Sequence, residues 1–165
     1  MLNCSGKIVS CAQLLRQAAR WRAGGETIAL ANGCFDILHV GHVRYLQAAA
    51  ALADHLVVAV NADASTRQLK GGGRPVLPQQ ARAELVAAVR GVGLVTVFDE
   101  LSVEALLRAL RPDFHAKGTD YSAESVPEAA LARELGVAVR IVGDAKLHST
   151  CRLIDRVRAL PRPAS

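Results

Sequence analysis

Asn32-Gly33-Cys34-Phe35-Asp36-Ile37-Leu38-His39-Val40-Gly41-His42 is the stretch whose reading decides the fold. Before it, Thr27 to Ala31 is an apolar run of strand length; after it, Val43 to Ala53 is rich in strong helix formers. A turn containing Gly33 and Asp36 therefore joins a strand to a helix, and His39 and His42 stand where the helix begins. Two imidazoles three positions apart share one side of a helix start. The unpaired N–H groups and the positive end of the helix dipole lie at the same point and attract phosphate. Gly41 leaves the backbone open there, with no Cβ in the way. The stretch reads as a nucleotide phosphate site that carries out chemistry.

Upstream, Ser10 is placed to cap a helix over Ala12–Ala23, with Leu14, Leu15, Ala18 and Trp21 on one face and Gly24-Gly25 at its end. Residues 1–9 carry little signal and are expected to be loose. Downstream, His55 to Asn61 is a buried strand that completes a β-α-β unit with a right-handed crossover. Asn61 to Thr66 follows at the carboxyl end of that strand, the edge where open α/β sheets bind ligands. Lys70-Gly71-Gly72-Gly73-Arg74-Pro75 reads as a flexible basic loop. Pro78 with Gln79-Gln80 starts a helix to about Arg90, with Ala81, Leu85 and Ala88 inward. Leu94–Phe98 is a third strand, Ser102 caps a helix to Leu110, and Phe114–Lys117 is a fourth strand. Pro127–Leu135 is helical, Ala138–Val142 is a fifth strand, and Ser149 opens a last helix to about Ala159, before loose residues 160–165. Strands alternating with helices predict one α/β domain over residues 1–165: a doubly wound, Rossmann-like, five-stranded parallel sheet with helices on both faces.

At 165 residues and 51% hydrophobic content the chain is long and apolar enough for a full core, which excludes a largely disordered protein; 4% aromatics make that core aliphatic. No apolar run approaches the roughly 18 residues of a membrane span and no secretory signal opens the chain, so a soluble, cytoplasmic protein with no membrane partner is expected. Cys4, Cys11, Cys34 and Cys151 form neither a C-x-x-C pair nor a zinc spacing and are expected to be reduced thiols. Net charge is +5, from sixteen arginines and four lysines against fifteen acids. These cations are scattered, with no aromatic stacking platform and no recognition-helix pattern, so nucleic acid is not the expected partner. Small anionic substrates account for the excess equally well.

Familiar nucleotide and metal motifs are absent. There is no G-x-x-x-x-G-K-[ST], no G-x-G-x-x-G after the first strand, and no H-E-x-x-H. Phosphoryl and nucleotidyl transfer need reactants held in line and stabilisation of charge on the transferring oxygens. His39 and His42 suit that task, and Lys70 can swing onto the transferring phosphate. Asn61 and Asp63, at a strand end, suit substrate hydroxyls, although Asp63 also suits a turn. Arg74 and Arg82 offer bidentate contacts to anionic oxygens. Lys117, Gly118, Asp120 and Tyr121 end the fourth strand and should face the nucleotide, and Ser149 and Thr150 present hydroxyls and N–H groups at a helix start. His115, inside a strand, reads as structural. Cys34 has no obvious base partner, and direct transfer needs no nucleophile.

Gly33-Cys34-Phe35-Asp36-x-x-His39-x-Gly41-His42 resembles the HxGH signature of the cytidylyltransferase-like nucleotidyltransferase superfamily. Together with Val58 to Thr66, Leu69-Lys70-Gly71, Arg74-Pro75-Val76 and Lys117 to Tyr121, it is similar to the D-glycero-D-manno-heptose 1-phosphate adenylyltransferases of ADP-heptose synthesis. The likeness runs from about Lys7 to Arg158. It implies transfer of AMP from ATP to heptose 1-phosphate, with Mg²⁺ held mainly by the triphosphate rather than by protein ligands. It also implies that His39 and His42 contact ATP phosphates, that Gly33, Cys34, Phe35 and Gly41 offer backbone to phosphate, and that Asp36 helps position the sugar phosphate or the metal-bound phosphates. Many members are fused to a sugar kinase, so a stand-alone form working beside a separate kinase is expected, and homodimers are common in the superfamily. The chain departs from the usual Ser-Thr-Thr at the last helix, with His148 before Ser149-Thr150 and Cys151 after them. Two further readings stay open: a glycerol-3-phosphate cytidylyltransferase-like enzyme using CTP, and a non-catalytic nucleotide sensor on the same fold.

Overall fold

Ser10 starts the first regular helix. Its hydroxyl accepts the N–H of Gln13, and the Gln13 side chain accepts the N–H of Ser10 in return, a capping box that opens α1 (Cys11–Ala23). The structure, a computed structural model, describes residues 4–122, 125–144 and 150–161. The remaining elements are β1 (Ile28–Gly33), α2 (Val40–Ala50), β2 (His55–Asn61), α3 (Asp63–Lys70), α4 (Gln79–Ala87), β3 (Val92–Phe98), α5 (Glu104–Leu110), β4 (Phe114–Gly118), α6 (Ala129–Leu135), β5 (Ala138–Val142) and α7 (Thr150–Arg158).

The five strands form one parallel sheet in the order β3-β2-β1-β4-β5. Leu30 of β1 lies between Val57 of β2 and His115 of β4. The sheet grows one way from β1 to β3 and the other way from β4 to β5, so its topological switch point lies between β1 and β4. At such a point the connections leave in opposite directions and open a crevice at the strands' carboxyl ends.

Side chains alternate across each strand and sort the core into two layers. Ala29, Ala31, Val58 and Val60 pack under Leu46 and Ala49 of α2 and Ala83, Val86 and Ala87 of α4. Ile28, Leu30, Val57 and Ala59 pack under Leu14 and Ala18 of α1, Leu106, Leu107 and Leu110 of α5, and Leu131 and Ala132 of α6. With both faces covered, the strands are near-continuous apolar runs, and each fully buried leucine or valine contributes roughly 1.5–3 kcal/mol of transfer free energy. Among the described residues no helix is long and apolar enough to cross a membrane.

Three local expectations are corrected. Asp63 to Lys70 is a helix rather than a turn leading into a loop, because Ser65 and Thr66 are buried with their hydroxyls bonded to the carbonyls of Ala62 and Asn61. Such local side-chain bonds mark turns in a sequence but also suit a helix's first turn. On α4 the inward line is Arg82, Ala83, Val86 and Ala87, while Leu85 and Ala88 face solvent. The sequence reading set this helix out of phase because it kept a charged residue out of the interior. Residues 7–9 are not loose: Lys7 Nζ donates to Ala87 O at 3.2 Å, Ile8 bridges Val95, and the N–H of Val9 donates to Val95 O at 2.9 Å. Ser149 and the tail beyond Pro161 lie outside the described residues.

Gly91 provides a test of the close packing between α2 and the start of β3. Its φ is +95°, and an added Cβ would come 2.8 Å from the Cβ of Ala50. Gly91→Ala should lower the unfolding free energy by about 1–3 kcal/mol. Gly72→Ala, with nothing within 4 Å of an added Cβ, should leave it unchanged. Urea unfolding midpoints of the two variants check the difference.

Candidate functional site

The loop between β1 and α2 is held in an unusual backbone shape. Phe35 and Ile37 adopt left-handed φ values of +49° and +53°, costly for residues with a Cβ and more so for a β-branched one. Between them Asp36 is buried, and its carboxylate accepts from Arg74 Nε at 2.5 Å and from the N–H groups of Val76 and Leu77 at 2.9 and 3.1 Å. Its carbonyl accepts from Thr150 Oγ1 at 2.8 Å. Burial alone would push the Asp36 pKa up, but the N–H groups of Val76 and Leu77 and the Arg74 side chain outweigh it and hold the carboxyl below its ordinary range. Arg82, fully buried, donates to the carbonyls of Leu77 and Cys34 and to Asp63 Oδ1. The carbonyl of Cys34 therefore points at Arg82, and the N–H of Phe35, on the opposite edge of the planar trans peptide, points away from it.

α2 begins directly after this loop. The rings of His39 and His42 stack with centroids 3.9 Å apart and planes 26° off parallel. The N–H of His39 donates to His42 Nδ1 at 3.3 Å, so the ring proton of neutral His42 is on Nε2. Burial first, then the charges of His39 and Lys70, lower the His42 pKa to about 4 against the opposing pull of Asp120. At neutral pH His42 is an uncharged N–H donor.

A cavity of about 530 Å³ opens over this helix start and the carboxyl ends of β1, β2 and β4, within the range of small-molecule sites. His39, His42, Gly41 and Lys70 line it, as do Gly33, Cys34, Phe35 and Asp36 from the loop. From the other side it is lined by Lys117, Gly118, Asp120 and Tyr121, and by Asn61, Arg74 and Thr150. Gly118 has open space where a Cβ would stand. Lys70 reaches the cavity from the last turn of α3, not from a glycine loop. The amide nitrogen of Asn61 is committed to Ser65 Oγ at 3.5 Å and Glu100 O at 3.3 Å.

Two expected contact residues are not brought into the cavity. Asp63 and Arg82 bind each other at 2.8 Å behind the loop, Arg82 with no exposed side-chain surface. The carboxylate of Asp36, though at the cavity wall, is saturated by the chain's own donors. A buried guanidinium is tolerated only with such partners, which is why Arg82 and Asp63 serve each other. Other lining residues had no role in the sequence reading. Glu128 pairs with Lys117 at 3.0 Å with both side chains nearly buried, and Tyr45 donates to Ala116 O at 2.8 Å beneath Phe35. Asn32 opens the deciding stretch, and nothing in the sequence signalled its contact with His115. Among the described residues no group of three His, Cys, Asp or Glu side chains converges as a metal site.

Two predictions follow from these contacts. Asp36→Ala removes the acceptor of the Arg74 side chain and of the N–H groups of Val76 and Leu77 and should cost about 3 kcal/mol or more of stability, measured by denaturant unfolding. His42 and His115 both have folded pKa values of about 4, below the ordinary 6.5 or so of an unfolded chain. The unfolded state then binds more protons between pH 6.5 and 4, so stability is full above pH 6.5 and is lost as pH falls toward 4. The melting temperature should follow that course, with a shallower fall in His42→Asn.

Residues 30–156 match the cytidylyltransferase-like family model. The chain is 43% identical over 150 residues to the bifunctional protein HldE of Koribacter versatilis and 44% identical over 152 residues to that of Gluconacetobacter diazotrophicus. These matches cover 91% and 92% of this chain but 31% of each relative, so the chain spans about a third of the length of those relatives. Among solved structures, it is similar to the lipopolysaccharide core biosynthesis protein from Thermoplasma volcanium, with 31% identity and a TM-score of 0.61 over 75% of this chain and all of that one. The deciding stretch, the parallel sheet with its switch-point cavity and the family match agree: the chain belongs to the cytidylyltransferase-like family.

Proposed function

We propose that this protein transfers AMP from ATP to D-glycero-D-manno-heptose 1-phosphate, giving ADP-heptose and pyrophosphate. The observation that carries the reading is the stacked His39–His42 pair at the start of α2, facing a cavity with Lys70 on its wall. The identity to HldE proteins over nine-tenths of the chain and the likeness to a lipopolysaccharide core biosynthesis protein support heptose as the acceptor sugar.

Chemically, an oxygen of the sugar phosphate attacks the α-phosphorus of ATP in line, and the bond from that phosphorus to the bridging oxygen of pyrophosphate breaks. The chain supplies donors where charge grows. His42, neutral with its proton on Nε2, and His39 beside it donate to the phosphate oxygens; the N–H groups at the α2 start and the Lys70 ammonium add positive potential. Phosphate binding brings negative charge next to His42 and favours its protonated form. Arg74, held at Nε by Asp36 while lining the cavity, suits an anionic oxygen of either substrate. Thr150, tied to the Asp36 carbonyl, brings the start of α7 to the same phosphates, and Ser149 belongs with it. Lys117 to Tyr121 serve the nucleotide. Mg²⁺ would be held mainly by the triphosphate, where it would offset charge on the phosphate oxygens; Asp36 is already engaged by the chain's own donors and Glu128 is paired to Lys117. A sugar kinase supplies the heptose phosphate in the cytoplasm, and the active form is a homodimer.

Pyrophosphate release from ATP or CTP with a panel of sugar and polyol phosphates tests the reading. Release with ATP and heptose 1-phosphate is expected; release with CTP and glycerol 3-phosphate alone would replace it with the sister activity, and none with any pair would favour a nucleotide sensor. His42→Ala should lower turnover at least about 100-fold, the scale for loss of one transition-state donor, with an unchanged circular dichroism spectrum. Normal turnover would remove His42 from the mechanism.

A further inference from the structure

The cavity crosses the edge of the sheet, and its two ends differ in charge. Ile28 and Leu30 of β1 face α1, α5 and α6, and by strand alternation Asn32 does so too. Ala116 of β4 faces the opposite layer, which puts His115 and Lys117 on the same side as Asn32. His115 is fully buried; its Nε2 lies 3.1 Å from Asn32 Oδ1, and its Nδ1 is buried without a hydrogen-bond partner.

That orphaned nitrogen decides which way the amide is read. If Nε2 accepted a proton from Asn32, the imidazole's own proton would sit on Nδ1 as a buried N–H with no acceptor. Orphaned buried N–H groups are rarer than unused acceptor lone pairs. The nearby Lys117 ammonium also disfavours a partial positive charge there. The proton therefore sits on Nε2 and is donated to Asn32 Oδ1. Burial first, and then Lys117, keep His115 neutral at pH 7, its pKa lowered to about 4. The Asn32 NH₂ is left without a partner among the described residues, and Asn32 lines the cavity.

The surroundings select its ligand. Lys117 is neutralised by Glu128 at 3.0 Å, so this end carries a neutral imidazole, an amide and a closed ion pair. Phosphates are drawn instead to the helix start, Lys70 and Arg74. We infer that Asn32 is a substrate-binding residue whose NH₂ donates to a hydroxyl oxygen of a sugar ring, and that His115 is the positioning residue that fixes its orientation. The ring belongs to the ribose of the nucleotide or to the acceptor sugar; the inference rests on the proposed reading of the cavity as the site of both.

Isothermal titration of ATP and, separately, of D-glycero-D-manno-heptose 1-phosphate separates the two sources. In Asn32→Ala and in His115→Phe, the same one of these ligands should bind about fivefold more weakly, the worth of one hydrogen bond to a neutral group, with the other unchanged. Asn32→Ala combined with His115→Phe should bind no more weakly than Asn32→Ala alone. His115→Gln, whose amide also donates, should recover most of the affinity. A role for His115 in packing alone would lower the melting temperature without this ligand-selective, non-additive loss. Wild-type affinity of Asn32→Ala for both ligands overturns the inference, as do losses that add in the double variant. Should His115→Phe not fold, Asn32→Ala and Asn32→Asp decide, the latter offering only acceptors where a donor is required. If the wild type binds ATP but not heptose 1-phosphate, the proposed acceptor is wrong and the ATP titrations alone decide the role of Asn32.

Discussion

The carboxylate of Asp36 gathers Arg74 Nε and the N–H groups of Val76 and Leu77 onto a loop far upstream in the chain, while the carbonyl of the same residue receives Thr150 from the start of α7. The loop itself, residues 74–77 and the start of α7 are thereby set relative to α2. The left-handed backbone at Phe35 and Ile37 costs of order 1–3 kcal/mol per residue, and it persists because the buried carboxylate cannot give up its donors without a larger penalty. Arg82 braces the same loop from behind, holding the Cys34 carbonyl and Asp63 together. The histidine pair is thus presented by a loop whose shape is over-determined.

Such bracing redistributes the charges. Three residues suited by type to ligand anions or hydroxyls, Asp36, Asp63 and Arg82, are used within the protein, and Arg74 is half so used. Two of the sixteen arginines, Arg74 and Arg82, are therefore tied into internal ion pairs. Among the described residues, what remains toward the cavity outside the Arg44–Asp144 and Lys117–Glu128 pairs is modest: a neutral imidazole donor, a helix start, Lys70 and the outer end of Arg74. A site made mainly of fixed N–H donors needs little reorganisation as charge moves during a transfer.

The sheet and its alternation with helices were legible because buried parallel strands are continuous apolar runs bounded by helix formers and caps. β2 and β5 were placed to the residue, and Ser10 marked the start of α1. The histidine pair was legible because strand, short connection and helix start fix its surroundings locally, although Gly33 ends the strand rather than lying in the turn. The internal contacts of Asp36 and Arg82 escaped the sequence for a common reason. Their residue types announce chemistry, but whether a charge faces a ligand or another part of the chain depends on contacts between residues 34–37 and 74–82, which no local pattern records. The inward phase of α4 failed with them, since an Arg on the core-facing line is recognisable only once its three acceptors are known. Asp63 to Lys70 escaped because Ser and Thr bond to nearby backbone in turns and in first helical turns alike. Ser149 lies outside the described residues.

The strand order explains why one cavity carries two kinds of polar wall. Because β2 and β4 flank β1 on opposite sides, the connections after β1 and β4 diverge, α2 onto one layer and the chain toward α6 onto the other. The first supplies a helix start and imidazoles. The second supplies Glu128, whose carboxylate cancels Lys117 at the end of β4. Among the described residues, an anion entering the crevice finds uncompensated positive potential on the α2 side, while an uncharged hydroxyl loses little by lying against the compensated pair and the Asn32 amide. Orientation of a substrate with both a phosphate and a sugar ring then follows from the sheet's own topology: the phosphate is drawn to one layer, and the ring is left to the other.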